Sequence, residues 1–349
     1  MKEYFMSLFQ FSKTFCLGTL LGLSIITPAN AYDNEDVLGR FLEQNFPVQP
    51  QQQAYTQPQA QYYQPQQYVP APSQNVAPTI YTQSVPQTFQ APQNSIPYQS
   101  AYADSMLKAR SALIMNAKTG QILYQKNMDS VRSIASISKL MAAMVLLDAN
   151  LDMNEQITIT ESEIDRLKGT SSRLSIGTTL TRGQLLHLGL MSSENRAIHA
   201  LGRTYPGGMS AFVAAMNNKA RSLGMANTRF YEPTGLDPRN VSTALELSRM
   251  VQAASRYPKI RELSTSNYGQ AYTSTGRLQE YKNSNALVRE GDMNITLQKT
   301  GYIREAGRSM VLQAQMGREP IVIVVLGSAT SATRANDART LGNMAQLAL

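Results

Sequence analysis

A chain of 349 residues has room for one large domain or two. Charged residues are 16% of it, the net charge is +8, and a single cysteine, Cys16, excludes a disulfide framework. With only two histidines, His187 and His199, and no His-Glu-x-x-His, neither a metalloprotease nor a His-rich metal site is expected, and no cofactor is.

The N-terminus reads as a secretory signal over residues 1–31. Lys2 and Lys13 flank its start, Phe15 to Ile26 is an apolar stretch too short to span a bilayer, and Ala29-Asn30-Ala31 is a small-residue cleavage pattern. Cys16 lacks a lipoprotein context. Export makes nucleic acid an unsuitable partner. Residues 32–103 hold Arg40 against Asp33, Glu35, Asp36 and Glu43, so the positive excess lies from Asp104 onward, where it suits an anionic target such as a carboxylate-rich wall.

Within 32–103, residues 33–46 put Val37, Leu38, Phe41 and Leu42 on one face of a short acidic helix that Pro47 ends. Residues 49–100 carry no charge and are dense in Gln, Pro and Tyr, a composition that predicts a disordered, extended linker. It is either a passive spacer or a tether that presents 33–46 as a docking helix.

The globular domain is expected over 104–349. Ser111 to Met115 and Gln121 to Tyr124 predict a hairpin turned at Asn116 to Gly120. An apolar helix follows, with Ser136 as its N-cap and Lys139 three residues on, sharing a face. Apolar burial and the positive helix end would push the Lys139 pKa toward neutrality, and a neutral amine beside a hydroxyl is a base beside a nucleophile. A plain Ser cap with a solvated Lys explains the same spacing, which Ser105 and Lys108 repeat without an apolar helix.

From Asn150 to about Asn294 the pattern is mostly helical. Thr181 to Gln184 predicts a capping box, with further helices over Met209 to Leu223 and Ala244 to Ala254. Strands return at Ile295–Ile303, Ser309–Met316 and Ile321–Leu326, the last β-branched and therefore interior. Ala335 to Leu349 closes as a helix. Strands at both ends and helices between predict one sheet with an inserted helical lobe.

Two more motifs decide the Ser136 question. Ser193-Glu194-Asn195 follows the Leu-rich helix, and Lys299-Thr300-Gly301 lies in the first returning strand. Each is weak alone, and Ser73-Gln74-Asn75 and Lys118-Thr119-Gly120 are decoys. In this order and context the set is the serine acyl-transferase pattern of penicillin-binding proteins and class A β-lactamases. Ser136 would attack a carbonyl, Lys139 take its proton, and Ser193 relay a proton to the leaving amine. Asn195 suits a substrate peptide bond, and Lys299 with Thr300 a substrate carboxylate. Gly301 would keep the strand edge open for the ligand, and the N–H groups of Ser136 and Tyr302 would form the oxyanion hole.

From Ser111 to Leu349 the sequence resembles the low-molecular-mass D,D-peptidases of the D-alanyl-D-alanine carboxypeptidase 1 family (peptidase S11). The likeness is carried by Ile134 to Met141, Met191 to Ala197, Tyr205 to Gly208, Asn227 to Leu236, Val241 to Ala244 and Gln298 to Gly301. It implies an α/β fold of the penicillin-binding and serine β-lactamase-like transpeptidase type, an antiparallel sheet flanked by helices with an inserted lobe. Carboxypeptidase members usually carry Asp-Gly-Leu before Lys-Thr-Gly, whereas Thr296-Leu297-Gln298 stand here, and they commonly add a C-terminal β domain and a membrane helix. Both departures resemble the penicillin-binding protein 7 type of D,D-endopeptidase. The implied activity is periplasmic hydrolysis of D-alanyl–meso-diaminopimelyl cross-links of peptidoglycan, with β-lactam antibiotics acylating Ser136. The alternative is a carboxypeptidase trimming pentapeptide stems, and a more distant one is a non-catalytic wall adaptor. Glu232 is the one carboxylate placed for a β-lactamase base, but its Pro233-Thr234-Gly235 neighbours belong to the peptidase pattern.

Overall fold

The computed structural model describes residues 104–349. The signal and linker readings of 1–103 lie outside them.

In chain order, β1 (Ser111–Asn116) and β2 (Ile122–Lys126) form the expected hairpin. Its turn is made by the Asn116 side chain, whose Oδ1 accepts from the N–H groups of Lys118 and Thr119, and by Gly120 at φ +77°. β3 (Arg132–Ser133) leads through a 3-10 turn, Ala135–Ile137, into α1 (Ser138–Asp148). Next come β4 (Gln156–Thr158), β5 (Thr179–Thr181), α2 (Arg182–Met191), α3 (Asn195–Arg203) and α4 (Gly208–Ser222). β6 (Val241–Ser242), α5 (Ala244–Ala254) and α6 (Pro258–Thr265) precede a second hairpin, β7 (Tyr268–Tyr272) and β8 (Leu278–Lys282). α7 (Ala286–Glu290) is followed by β9 (Ile295–Ile303), β10 (Gly307–Met316), β11 (Glu319–Ser328) and α8 (Ser331–Ala348).

Five strands make one antiparallel sheet in the order β2-β1-β11-β10-β9, so both ends of the domain do build it and β11 is interior. The two-residue period of β11 decides what each face meets. Ile321, Ile323 and Val325 face α8, where Ala335, Ala338, Leu341 and Ala345 cover them. Val322, Val324 and Leu326 face the lobe and share its core with α1 and α5. Each such buried side chain contributes about 1.5–3 kcal/mol. α1 is buried from Ser138 to Leu146, as its all-round apolar pattern requires.

Two expectations need correction. The lobe is not uniformly helical: β4 pairs with β5 and β7 with β8. Three-residue strands are too short to show a period, and the Tyr268 to Tyr272 alternation, turned at Gly276 with φ +76°, was readable as a hairpin. The last helix begins at Ser331, because Thr330 and Thr333 form a capping box ahead of its apolar face. The Thr181–Gln184 capping box forms as expected. Among the described residues no helix is long and apolar enough to cross a membrane.

Candidate active site

Ser136 sits in the 3-10 turn, and α1 begins two residues later with Ile137 as its N-cap and no side-chain cap. The expected capping role is therefore wrong. The Ser136 Oγ instead accepts from Lys139 Nζ at 2.7 Å. The turn is strained: Ala135 has φ +48°, a conformation that costs an L-residue roughly 1–2 kcal/mol. The only other described residue with positive φ that is neither Gly nor Asn is Ser193, at +64°. Both lie in the motifs singled out from the sequence, where stored backbone strain is expected to concentrate.

Lys139 is fully buried at 0% exposure. Its surroundings are polar rather than apolar. Nζ donates to Ser136 Oγ at 2.7 Å, Asn195 Oδ1 at 2.7 Å and the Thr234 carbonyl at 2.6 Å. An ammonium satisfies all three oxygens. A neutral amine has two N–H groups, and two of these oxygens can only accept. The two N–H groups then go to Asn195 and Thr234, and the lone pair is left facing the Ser136 hydroxyl.

Ser193 occupies the tight link between α2 and α3. The N–H groups of Ser192 and Glu194 on either side of it both donate to the Leu188 carbonyl at 3.1 Å. Glu194 caps α3 and also takes a hydrogen bond of 2.6 Å from Ser172. Asn195, in the first turn of α3, has its Nδ2 3.4 Å from Thr170 Oγ1.

β9 is the sheet edge that runs past the Ser136 turn. A Cβ on Gly301 would lie 3.0 Å from both the Ile134 carbonyl oxygen and the Ser136 N. The glycine therefore makes room for the turn itself. Next to it, Tyr302 is 41% exposed, and the Arg308 guanidinium lies 4.0 Å over its ring. The Thr300 hydroxyl is 2.7 Å from that of Ser284, and buried Lys299 donates to the Thr300 carbonyl at 2.8 Å. Gln298, the departure noted before Lys-Thr-Gly, is buried and ties β9 to the Ser264 carbonyl at 2.7 Å and to Asn283 at 3.0 Å.

The opposite side of the turn escaped the sequence reading. Gly235 has φ +85°, and a Cβ there would lie 1.9 Å from the Ala135 carbonyl oxygen. The loop that carries it is held by two polar side chains. Glu232 accepts from the N–H groups of Thr234 and Gly235 at 2.6 Å each. Asn240, fully buried, accepts from Tyr231 N at 2.7 Å and donates to the Ser138 hydroxyl at 3.0 Å. Ser138 in turn donates to the Ala135 carbonyl at 2.9 Å. In the sequence, the Gly that follows Thr234 in the Pro233-Thr234-Gly235 motif is the available signal for this wall; Asn240 leaves none. Glu232 is thus spent on its own loop.

His187 and His199 take no part. His187 packs beneath β7, where burial lowers its pKa against the opposing charge of Glu262. His199 lies 3.2 Å from Glu163. Among the described residues, no three His, Cys, Asp or Glu side chains gather as a metal ion would need.

A serine on a strained turn, hydrogen-bonded to a buried lysine beside the edge of an antiparallel sheet, defines a protein of the penicillin-recognising serine class. A family model described as D-alanyl-D-alanine carboxypeptidase matches residues 98–330, and the chain belongs to that family. It is 42% identical over 251 residues to the D-alanyl-D-alanine endopeptidase of Pseudomonas aeruginosa, covering 72% of this chain and 79% of the relative. It is 43% identical over 232 residues to the D-alanyl-D-alanine endopeptidase of Escherichia coli, covering 66% and 75%. The crystal structure of a Streptomyces DD-transpeptidase superposes with a TM-score of 0.65 at 29% identity, covering 70% of this chain and 98% of that one.

Proposed function

We propose that this protein is a serine D,D-endopeptidase that hydrolyses D-alanyl–meso-diaminopimelyl cross-links of peptidoglycan through an acyl-enzyme. The observation that carries the reading is the buried Lys139 Nζ, held by two acceptor-only oxygens with its third direction on Ser136 Oγ at 2.7 Å. Similarity to two D-alanyl-D-alanine endopeptidases at 42% and 43% identity supports the substrate class.

In the first step Ser136 Oγ attacks the D-alanyl carbonyl carbon and its proton passes to Lys139 Nζ. The carbonyl oxygen becomes an oxyanion between the N–H groups of Ser136 and Tyr302, each such donor being worth roughly 3–4 kcal/mol of barrier. The C–N bond then breaks. The leaving amine takes a proton from Lys139 through the Ser193 hydroxyl, and an ester remains on Ser136. Water attacks the ester, gives a proton to Lys139, and Ser136 recovers its own. Asn195 Nδ2 holds the substrate peptide, while Lys299 and Thr300 hold its carboxylate. β-Lactams enter the same first step and stay as esters.

On this reading residues 1–31 direct export to the periplasm, and 32–103 serve as a passive spacer or as a tether that presents 33–46 to wall enzymes. Digestion of purified cross-linked muropeptides, with products separated by mass, tests the reading. Conversion of dimers to monomers, lost in Ser136→Ala, is the expected result. Release of free D-alanine from pentapeptides instead would make it a carboxypeptidase. Full cellular function in Ser136→Ala would make it an adaptor.

A further inference from the structure

We propose that the outward face of the β7–β8 hairpin is a docking strip for the glycan chain of the wall, a linear polymer of N-acetylated amino sugars. The inference rests on the peptidoglycan reading above and extends it from the peptide being cut to the carbohydrate that carries it.

The hairpin has two unlike faces. Inward, Ala271 and Tyr281 are buried, Gly269 packs on Met191 and His187 of α2, and the Arg173 guanidinium lies 4.3 Å over the Tyr281 ring. Outward, the register places Tyr268 beside Lys282, Gln270 beside Glu280 and Tyr272 beside Leu278. Tyr268 and Tyr272 are each 66% exposed and Leu278 is 39% exposed. Two rings four residues apart on one strand are about 13 Å from each other. An amide and a carboxylate stand between them. Two exposed rings on one strand with hydrogen-bonding groups between them form a regular line that an extended ligand can follow.

The shape of the strip selects the occupant. Two strands of five residues make a ribbon about 17 Å long and about 10 Å wide, on the order of 200 Å². A stable protein interface needs about 800 Å² per partner and an apolar centre free of charge. Glu280 and Lys282 deny this strip such a centre. A narrow linear polymer fits it. The C–H face of a pyranose stacks on a tyrosine ring, and its N-acetyl and hydroxyl groups pair with Gln270, Glu280 and the phenols.

Position supports the same occupant. β8 runs through Asn283 into Ser284, whose hydroxyl meets that of Thr300 in the active site at 2.7 Å. At the far end, Ser274 Oγ is 3.0 Å from Ser175 Oγ, in the loop chain that continues from Thr170. The β8 end of the strip, at Lys282, is therefore two residues from Ser284 at the active site. A cross-link in the wall is tethered to glycan, so holding the glycan raises the effective concentration of the peptide at Ser136.

The test uses the full chain and peptide-free glycan chains prepared from sacculi, with three readouts. Tyr268→Ala/Tyr272→Ala should lose about tenfold or more in affinity for these chains and for sacculi, since aromatic side chains are enriched among the residues that dominate such contacts. Tyr268→Phe/Tyr272→Phe should retain most of the affinity, because the rings stay. Acylation by labelled penicillin and cleavage of a glycan-free cross-linked peptide should stay within about twofold of the parent, which also shows that the variants fold. Unchanged affinity in the alanine variant, or no binding of peptide-free glycan by the parent, overturns the inference; the latter result would assign the face to residues of 1–103 or to a protein partner. Failure of penicillin acylation in the parent would overturn the functional reading itself.

Discussion

The Ser136 turn is pressed between two walls built in different ways. On one side is β9, a strand whose place is fixed by its ladder to β10, with Gly301 opposite Ser309, and by buried flanking residues. On the other is the 231–240 loop, which has almost no ladder and is shaped by Glu232 and Asn240. Each wall approaches through a glycine, but the contacts differ. The loop glycine would put a Cβ 1.9 Å from the turn, the strand glycine 3.0 Å. The loop also supplies the Thr234 carbonyl to Lys139. The ladder therefore sets where the turn lies, and side-chain hydrogen bonds set how its strained Ala135 is held and how the lysine is aimed.

This difference predicts that the loop wall is the more fragile. Gly235→Ala should have the largest effect. The new Cβ overlaps backbone, and the φ of +85° disfavours any side chain, so the turn must move. Penicillin acylation of Ser136 should fall by about a thousandfold or more, because a 1 Å misplacement of reacting groups costs about a hundredfold and this overlap is larger. Near-normal acylation would mean that the loop yields freely and the wall is not rigid.

Asn240→Ala comes next. It strands the Tyr231 N–H and removes the donor to Ser138, each buried unmet group costing about 1–3 kcal/mol. Denaturant unfolding should show a loss of about 3 kcal/mol, and acylation of the folded protein should slow by about tenfold to a hundredfold. A loss of stability without slower acylation would separate the loop's structural part from its aim on the turn.

Glu163 gives the control, a polar anchor in the lobe bonded to Thr160, His199 and Arg203 rather than to either wall. Burial raises its pKa, but hydrogen bonds from His199, Arg203 and Thr160 outweigh that and hold it down to about 2. Because the folded value lies below the usual 4.5, its stabilisation is fully present above pH 4.5 and is lost as pH falls toward 2. The shift corresponds to at most about 3 kcal/mol. Glu163→Gln should remove about that much at pH 7 and flatten the acid limb of stability, while acylation per folded molecule stays unchanged. A slowed acylation would show that polar anchoring anywhere in the lobe reaches Ser136, and the contrast between the walls would fail.

The same contrast explains what the sequence disclosed. β11 announced itself through Ile321 to Leu326, because burial on both faces demands an unbroken apolar run. The buried α1 and the Thr181 capping box were readable for similar local reasons. The Ser136, Ser193 and Lys299 motifs were visible as a set. The loop wall was not, because Asn240 works through partners at Tyr231 and Ser138, 9 and 102 positions away. The Ser136 cap was misread for a related reason: nothing local says that a hydroxyl at a helix start faces a lysine rather than the backbone. The β7–β8 hairpin was missed because two five-residue strands lie inside a stretch that otherwise reads as helix.

Of the two wall glycines, Gly301→Ala should have the smaller effect. Its Cβ would meet the Ile134 carbonyl and the Ser136 N at 3.0 Å and the Ala135 Cβ at 3.1 Å, contacts relieved by a shift of a few tenths of an ångström. The backbone there carries no positive φ, so the residue itself is unstrained. The ladder to β10 keeps the strand in place, and the turn must give. That small shift displaces the Ser136 N–H, one of the two proposed oxyanion donors. Acylation should therefore slow by about tenfold, a fraction of the 3–4 kcal/mol that full loss of such a donor costs. Thermal stability should fall little. A loss as large as that of Gly235→Ala would mean that the strand wall is no more forgiving than the loop, and that distance of approach alone, not construction, decides what the turn tolerates.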